Sequence, residues 1–133
     1  MKKYFYYTFI FIICIACQME EYDFSPHHNI PAVEVTEVTD LKHNRVTLNA
    51  RVNDDYSYPI TEKGFYYAST IEELMKPYFR KKIVSRKVGK GDYSITLIRL
   101  KPNTTYYYLP FATNELGTAV GRTVSKFTTT SLR

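Results

Sequence analysis

Between positions 44 and 52 the chain alternates with period two. Val46, Leu48, Ala50 and Val52 fall on one side, and Arg45, Thr47, Asn49 and Arg51 on the other. Successive strand side chains point to opposite faces, so this is an antiparallel strand with one face in a core and one in water. Val33, Glu34 and Val35 open a shorter run of the same kind over 32–38. Asn53-Asp54-Asp55 and Ser57-Tyr58-Pro59 then supply turn residues, and 61–68 reads as an aromatic-rich third strand in which Gly64 marks a bulge. Ser69 or Thr70 caps a single helical turn, Glu72 or Glu73 sits near its positive end, and Pro77 stops it. Runs at 82–88 and 92–100 flank Gly89-Lys90-Gly91, which predicts a hairpin whose second arm turns Tyr93, Ile95 and Leu97 inward. Leu100 closes the core. The last two strands, 106–113 and 118–128, are joined by Asn114-Glu115-Leu116-Gly117. The pattern predicts an all-β fold, a seven-stranded antiparallel β-sandwich over 31–130, without internal repeat.

The first residues follow a different rule. Met1-Lys2-Lys3 is a short basic segment, and 4–16 is almost wholly apolar. A helix of that length reaches about 20 Å at ~1.5 Å per residue, short of the ~30 Å of a bilayer's hydrocarbon, so 1–16 reads as an export signal and not a membrane span. Cys14-Ile15-Ala16-Cys17 resembles the lipobox of bacterial lipoproteins, with Cys14 departing from the usual leucine. The resemblance implies that Cys17 becomes the acylated first residue, held on a membrane by several acyl chains at ~0.8 kcal/mol per buried CH2. Gln18 after the cysteine is similar to the outer-membrane-sorted type of Gram-negative bacteria, and Glu20-Glu21 to surface-export signals. Residues 17–30, with Pro26, His27 and His28 and no hydrophobic periodicity, read as a lipidated N-terminus and tether. The thirteen residues from Gln18 to Ile30 span ~45 Å at most.

Composition adds two constraints. The 133 residues, 44% hydrophobic and 23% charged, suit one globular domain. Of the two cysteines only Cys17 survives removal of 1–16, so the exported domain has no disulfide and depends on its core. The same cut takes two lysines from a formal charge of +5.

Leu100, Pro102, Thr104 and Tyr106 stand at L-x-P-x-T-x-Y, and Ala112, Asn114 and Gly117 follow at A-x-N-x-x-G. This resembles the fibronectin type III domain, in the short version found in bacterial envelope lipoproteins, and the likeness extends over 31–129. It implies an immunoglobulin-like sandwich in which Tyr106 is the tyrosine corner, its hydroxyl bonded to backbone a few residues upstream. The immunoglobulin domain proper fits less well, because the chain has no Trp and, without 1–16, only the single Cys17. Pro110, facing inward with Tyr106, Tyr108 and Ala112, interrupts a strand that the family places centrally. Either the register bends there or the missing N–H falls where no partner waits.

Candidate chemistry is sparse. His27-His28 with Glu21 and Asp23 lacks the spacing of a structural metal site, and Asp54-Asp55 lacks the oxygen ladder of a calcium loop, so no metal and no cofactor is expected. Asn103-Thr104-Thr105 matches a glycosylation acceptor by pattern and reads as turn chemistry. No nucleophile elbow, phosphate loop or metal-binding helix is present, so an enzyme is not expected. Two surfaces invite binding. One is a basic patch of Arg80, Lys81, Lys82, Arg86 and Lys87, within a run from 76 to 91 that holds no acid. Against its attraction for acidic ligands stands the use of lysines to block a sheet edge. The other is an outward face of Tyr66, Tyr107, Leu109 and Phe111, a platform for protein or sugar unless the loop 71–79 covers it.

The expectation is a lipid-anchored protein of the cell envelope, on the outer membrane of a Gram-negative bacterium, with Glu20-Glu21 inclining it to surface exposure, acting as a non-catalytic protein-interaction or assembly module. The alternative is a carbohydrate-binding accessory lipoprotein in glycan capture. The partners are the membrane, through lipid on Cys17, and another envelope protein or a glycan, with no nucleic acid.

Overall fold

The computed structural model describes residues 30–132. The export signal, Cys17, the tether to residue 29 and the His27-His28 pair lie outside the described residues. The strands are β1 (Ala32–Thr39), β2 (Val46–Asp54), β3 (Glu62–Ala68), β4 (Lys81–Val84), β5 (Gly91–Leu97), β6 (Thr105–Asn114), β7 (Gly117–Val120) and β8 (Ser125–Thr128), with one short helix, α1 (Ile71–Met75), between β3 and β4. They form two antiparallel sheets. One is ordered β1-β2-β5; the other is ordered β4-β3-β6, with β7 and β8 both paired to the far side of β6.

The expected sandwich is realised with one strand more than the seven read from the sequence. Val46, Leu48, Ala50 and Val52 of β2 are buried, as their alternation requires, and face Tyr93, Ile95 and Leu97 of β5 in the same core. Phe65, Tyr108, Ala112 and Phe127 close it from the other sheet. Burying a large apolar side chain contributes about 1.5–3 kcal/mol, so this cluster is the main source of stability in a domain without a disulfide. In β1, a register shift between Val35 and Val38 sets Thr36 and Glu37 opposite Asn49, whose amide donates to the Glu37 carbonyl at 3.0 Å. The bulge returns Val38 to the core side after Val33 and Val35. Thr70 caps α1, its Oγ1 accepting the Glu73 N–H at 3.1 Å.

Three details depart from the sequence pattern. The runs around Gly89-Lys90-Gly91 are not a hairpin: β4 pairs with β3 and β5 with β2, so residues 85–90 carry the chain from one sheet to the other. Turn residues signal a change of direction but not the strand that will be met next. Gly64 makes no bulge, because it stays in register with Val84 and Phe111. A Cβ there would lie 2.0 Å from the Ile83 carbonyl oxygen, so glycine is needed for close approach of β4. The final strand is two. β7 pairs with Phe111 to Asn114 and β8 with Thr105 to Tyr108, leaving Leu109 and Pro110 opposite the four residues 121–124. Gly121 N–H donates to the Pro110 carbonyl at 2.9 Å, so the edge of Pro110 that lacks a donor faces this break. A Cβ at Gly121 would lie 2.6 Å from Pro110 Cδ, which explains the glycine.

The hydroxyl of Tyr93 donates to the Gly64 carbonyl at 2.9 Å, with the Phe111 carbonyl at 3.3 Å. Burial pushes the ionisation of Tyr93 well above the ordinary tyrosine value, and that of Tyr108 and Tyr67 upward as well.

Two measurements test this packing. Gly64→Ala should lose about 1–3 kcal/mol in urea unfolding, because β4 must move away to admit the methyl group; an unchanged midpoint would mean that the strands are not so close. A tyrosine whose folded pKa is raised stays protonated while the unfolded chain ionises near pH ~10, so its contribution is complete below that pH and is lost as the pH climbs above it. Stability should therefore decline above pH ~10, and Tyr93→Phe should flatten the decline by about 1.4 kcal/mol per pH unit. Identical slopes for the two proteins would refute a buried, neutral Tyr93.

Candidate interaction surfaces

The turn before β6 is built by its own polar groups. Tyr106 Oη accepts the Lys101 N–H at 3.0 Å, and Leu100 is buried with its N–H donating to the Asn44 carbonyl at 3.0 Å. Thr104 Oγ1 donates to the Pro102 carbonyl at 2.8 Å. Buried Thr129 closes the turn, accepting the Thr104 N–H at 2.9 Å and donating to the Lys101 carbonyl at 2.6 Å. Downstream, Asn114 Oδ1 accepts the N–H groups of Leu116 and Gly117, and Gly117 takes a positive φ of 149°. These residues hold loops, and their hydrogen bonds are directed inward.

The outward aromatic stripe is not open. Leu109 and Phe111 are buried, and Tyr66 and Tyr107 are half-buried. Leu74 of α1 seals a second small core with Ala68 and Leu109, flanked by Tyr66, Tyr107 and Val124. Tyr66 stacks on Phe111 with ring centroids 4.6 Å apart. The Arg80 guanidinium lies 3.7 Å from the Tyr66 centroid, and Lys82 Nζ 5.2 Å from that of Phe111. The expected platform is therefore a foundation: α1 and the chain after it cover Leu109, while two cations cap the rings.

Those contacts split the basic run. Arg80 also donates to the Leu74 carbonyl at 3.4 Å, and Lys82 pairs with Glu62 at 2.8 Å, so both are structural in part. Lys81 and Lys82 lie on β4, the outer strand of its sheet, where lysines discourage edge pairing. Lys81, Arg86, Lys87 and Lys90 are exposed and form no ion pair among the described residues. Between and beside them stand exposed apolar groups: Tyr78, at 96%, and Phe79, at 66%, which the sequence interleaves with the cations, and Val88, at 65%, and Val84, at 42%, which the sequence pattern did not single out.

A buried cation was also missed. Lys63 is inward-facing and nearly inaccessible, its Nζ donating to the Gly89 carbonyl at 2.7 Å and lying 5.0 Å from the Tyr93 centroid. Desolvation, assisted by Lys87, lowers its pKa below the usual lysine value. Counting back by twos from Tyr67 and Phe65 places Lys63 on the core side, which was the available signal. Its role is to anchor the 85–90 crossover.

The outer face of the β1-β2-β5 sheet satisfies itself. Thr47 bonds Thr96, Asn49 bonds Ser94, and Arg51 pairs with Asp92 at 2.6 Å, each across the strand register. The hydrogen bond from Arg51 holds the Asp92 carboxyl below its ordinary pKa. Asp54 and Asp55 accept the N–H groups of Tyr56 and Ser57, both at positive φ, which is turn chemistry. Asn103 likewise sits in a turn with φ 49°, its N–H donating to the Thr130 carbonyl. Among the described residues no three potential ligands gather to hold a metal.

On the side opposite β4, the free edges of β1 and β7 border a groove of about 700 Å³. Val33, Val35, Pro110, Ala119 and Val120 supply its apolar wall, and Glu34, Asn53, Thr118 and Arg122 add polar and charged groups to its lining. Gly121 donates toward β6, so by strand alternation the N–H groups of Thr118 and Val120 point away from β6. β7 reads Gly-Thr-Ala-Val and carries no charge.

No protein-family model and no curated protein matches the chain. Solved structures do. The sensor domain of the anti-sigma factor RsgI4 from Pseudobacteroides cellulosolvens superposes with a TM-score of 0.58 at 18% identity, covering 83% of this chain and 100% of its own. The human fibronectin type III domain from the KIAA0970 protein gives 0.56 at 18%, covering 86% and 89%. A computationally redesigned β-sandwich protein gives 0.53 at 21%, covering 77% and 96%. At such identities the likeness is one of fold, and the fold of this chain is that of a fibronectin type III-like β-sandwich.

Proposed function

We propose that the chain is a lipid-anchored protein of the cell envelope, held through Cys17 on the outer membrane of a Gram-negative bacterium, whose sandwich is a non-catalytic module for protein interaction or assembly. The observation that carries the interaction reading is the asymmetry of the sheet containing β3. Its β4 edge bears lysines, whereas its β7 edge is uncharged, unpaired and borders a groove with an apolar wall and a polar one. An uncovered edge offers backbone donors and acceptors that an extended segment can join as a further strand, with side-chain pockets supplying selectivity. The occupant is an extended segment of another envelope protein with apolar residues at alternate positions, matching Val33, Ala119 and Val120. A domain of this fold serves as a sensor in the anti-sigma factor RsgI4, which supports recognition as the role. Carbohydrate capture is the weaker alternative, since Tyr66 and Phe111 stack on each other beneath Arg80 and Lys82.

A photo-crosslinking residue at position 118, used in intact cells, should give a discrete adduct with one envelope protein. Charging the edge with Val120→Glu should abolish it while leaving the unfolding midpoint within about 1 kcal/mol. No adduct, or one indifferent to Val120→Glu, would overturn the strand-addition reading. Mass spectrometry of protein extracted from membranes should find acyl chains on an N-terminal Cys17; a chain still beginning at Met1 without acylation would overturn the anchor.

A further inference from the structure

We propose that the β4 edge of the sandwich lies against an anionic lipid bilayer. This surface is distinct from the β1/β7 groove, and it needs no acyl chain on Cys17. The residues from 76 to 91 include seven cations and no acid. Glu62 and Glu72 engage Lys82 and Lys76, which leaves Lys81, Arg86, Lys87 and Lys90 without an ion pair among the described residues. Interleaved with these charges are Tyr78, Phe79, Val84 and Val88, all well exposed. Tyr78 and Phe79 stand where the chain enters β4, Val84 ends that strand, and Val88 lies in the crossover beyond it. Apolar and cationic groups therefore share one elongated edge.

The mixture selects the ligand. A nucleic acid would answer the cations but offers nothing to exposed valines. A bilayer surface answers both, because aromatic rings settle at the headgroup level, aliphatic groups enter the headgroup and acyl boundary, and anionic headgroups attract Lys and Arg within a Debye length of about 8–10 Å. β4 and β7 flank opposite sides of the same sheet. A sandwich resting on β4 therefore turns β7 and its groove away from the lipid.

The chain has no Trp, so single-Trp variants report depth directly. Tyr78→Trp and, on the opposite edge, Val120→Trp would be made in the chain from residue 17 onward carrying Cys17→Ser, which removes acylation from the result. Added to vesicles of phosphatidylcholine mixed with phosphatidylglycerol, the Trp at 78 should shift to the blue and be quenched by brominated acyl chains, while that at 120 should not. Replacing Lys81, Arg86, Lys87 and Lys90 by Gln should weaken partitioning by nearly three orders of magnitude, since each cation near an anionic surface is worth about five-fold. Tyr78→Ser with Phe79→Ser, followed by vesicle sedimentation, should weaken it as well, and raised salt should reverse it. The proposal fails if the Trp at 78 shows no shift, shifts equally with phosphatidylcholine alone, or responds no more than the one at 120. It also fails if a crosslinker at 78 in cells captures a protein and no lipid.

Discussion

A single phenolic hydroxyl ties the two sheets together. Tyr93 reaches from β5 across the core to the backbone of β3 and β6, meeting the carbonyls of Gly64 and Phe111 where those residues face each other in the ladder. A sandwich lacking a disulfide needs some directional contact to set the spacing and slide of its layers, because apolar contact alone is non-directional. The bond also locates the rest of that end of the molecule. Lys63 approaches the same ring, and through the Gly89 carbonyl it holds the chain that crosses between the sheets. Gly64, bonded to Tyr93 by its carbonyl, is the residue against which β4 closes.

From this arrangement the two long sides of the molecule acquire different characters. One is made of β4, brought close by Gly64 and covered with cations and apolar groups. The other is made of β1 and β7, two bare edges beside a groove. Between them the broad faces are already engaged, one by a ladder of polar pairs and the other by α1, Arg80 and Lys82. The surfaces left for recognition are the sides, and the two proposals assign one to lipid and one to protein.

How much of this the chain discloses depends on the range of the interaction. The strand at 46–52, a cap at Ser69 or Thr70, the stop at Pro77 and the turn from Leu100 to Tyr106 are local, and each is legible because neighbouring residues determine it. The hairpin expected at 89–91 was not there, since a pair of glycines permits a turn without naming the strand beyond it. The exposure of Phe111 is left open for the same reason. Parity placed it on the outer face, but whether Leu74, Arg80 and Lys82 return to cover that face is a tertiary matter. Lys63 is legible by parity alone, against the ordinary preference of lysine for the surface. Pro110 announced an irregularity whose form, four residues spanning two, required the partner strand.

That irregularity bears on how the chain behaves when crowded. An unbroken last strand would offer neighbours a straight template along the whole of β6, longer than the six or seven residues from which cross-β stacks propagate. Pro110 and Gly121 divide it into two pieces of four residues each, set apart by a bend. Each piece falls short of that length, so the break beside the proline leaves this side of β6 without a long straight edge on which strands could stack.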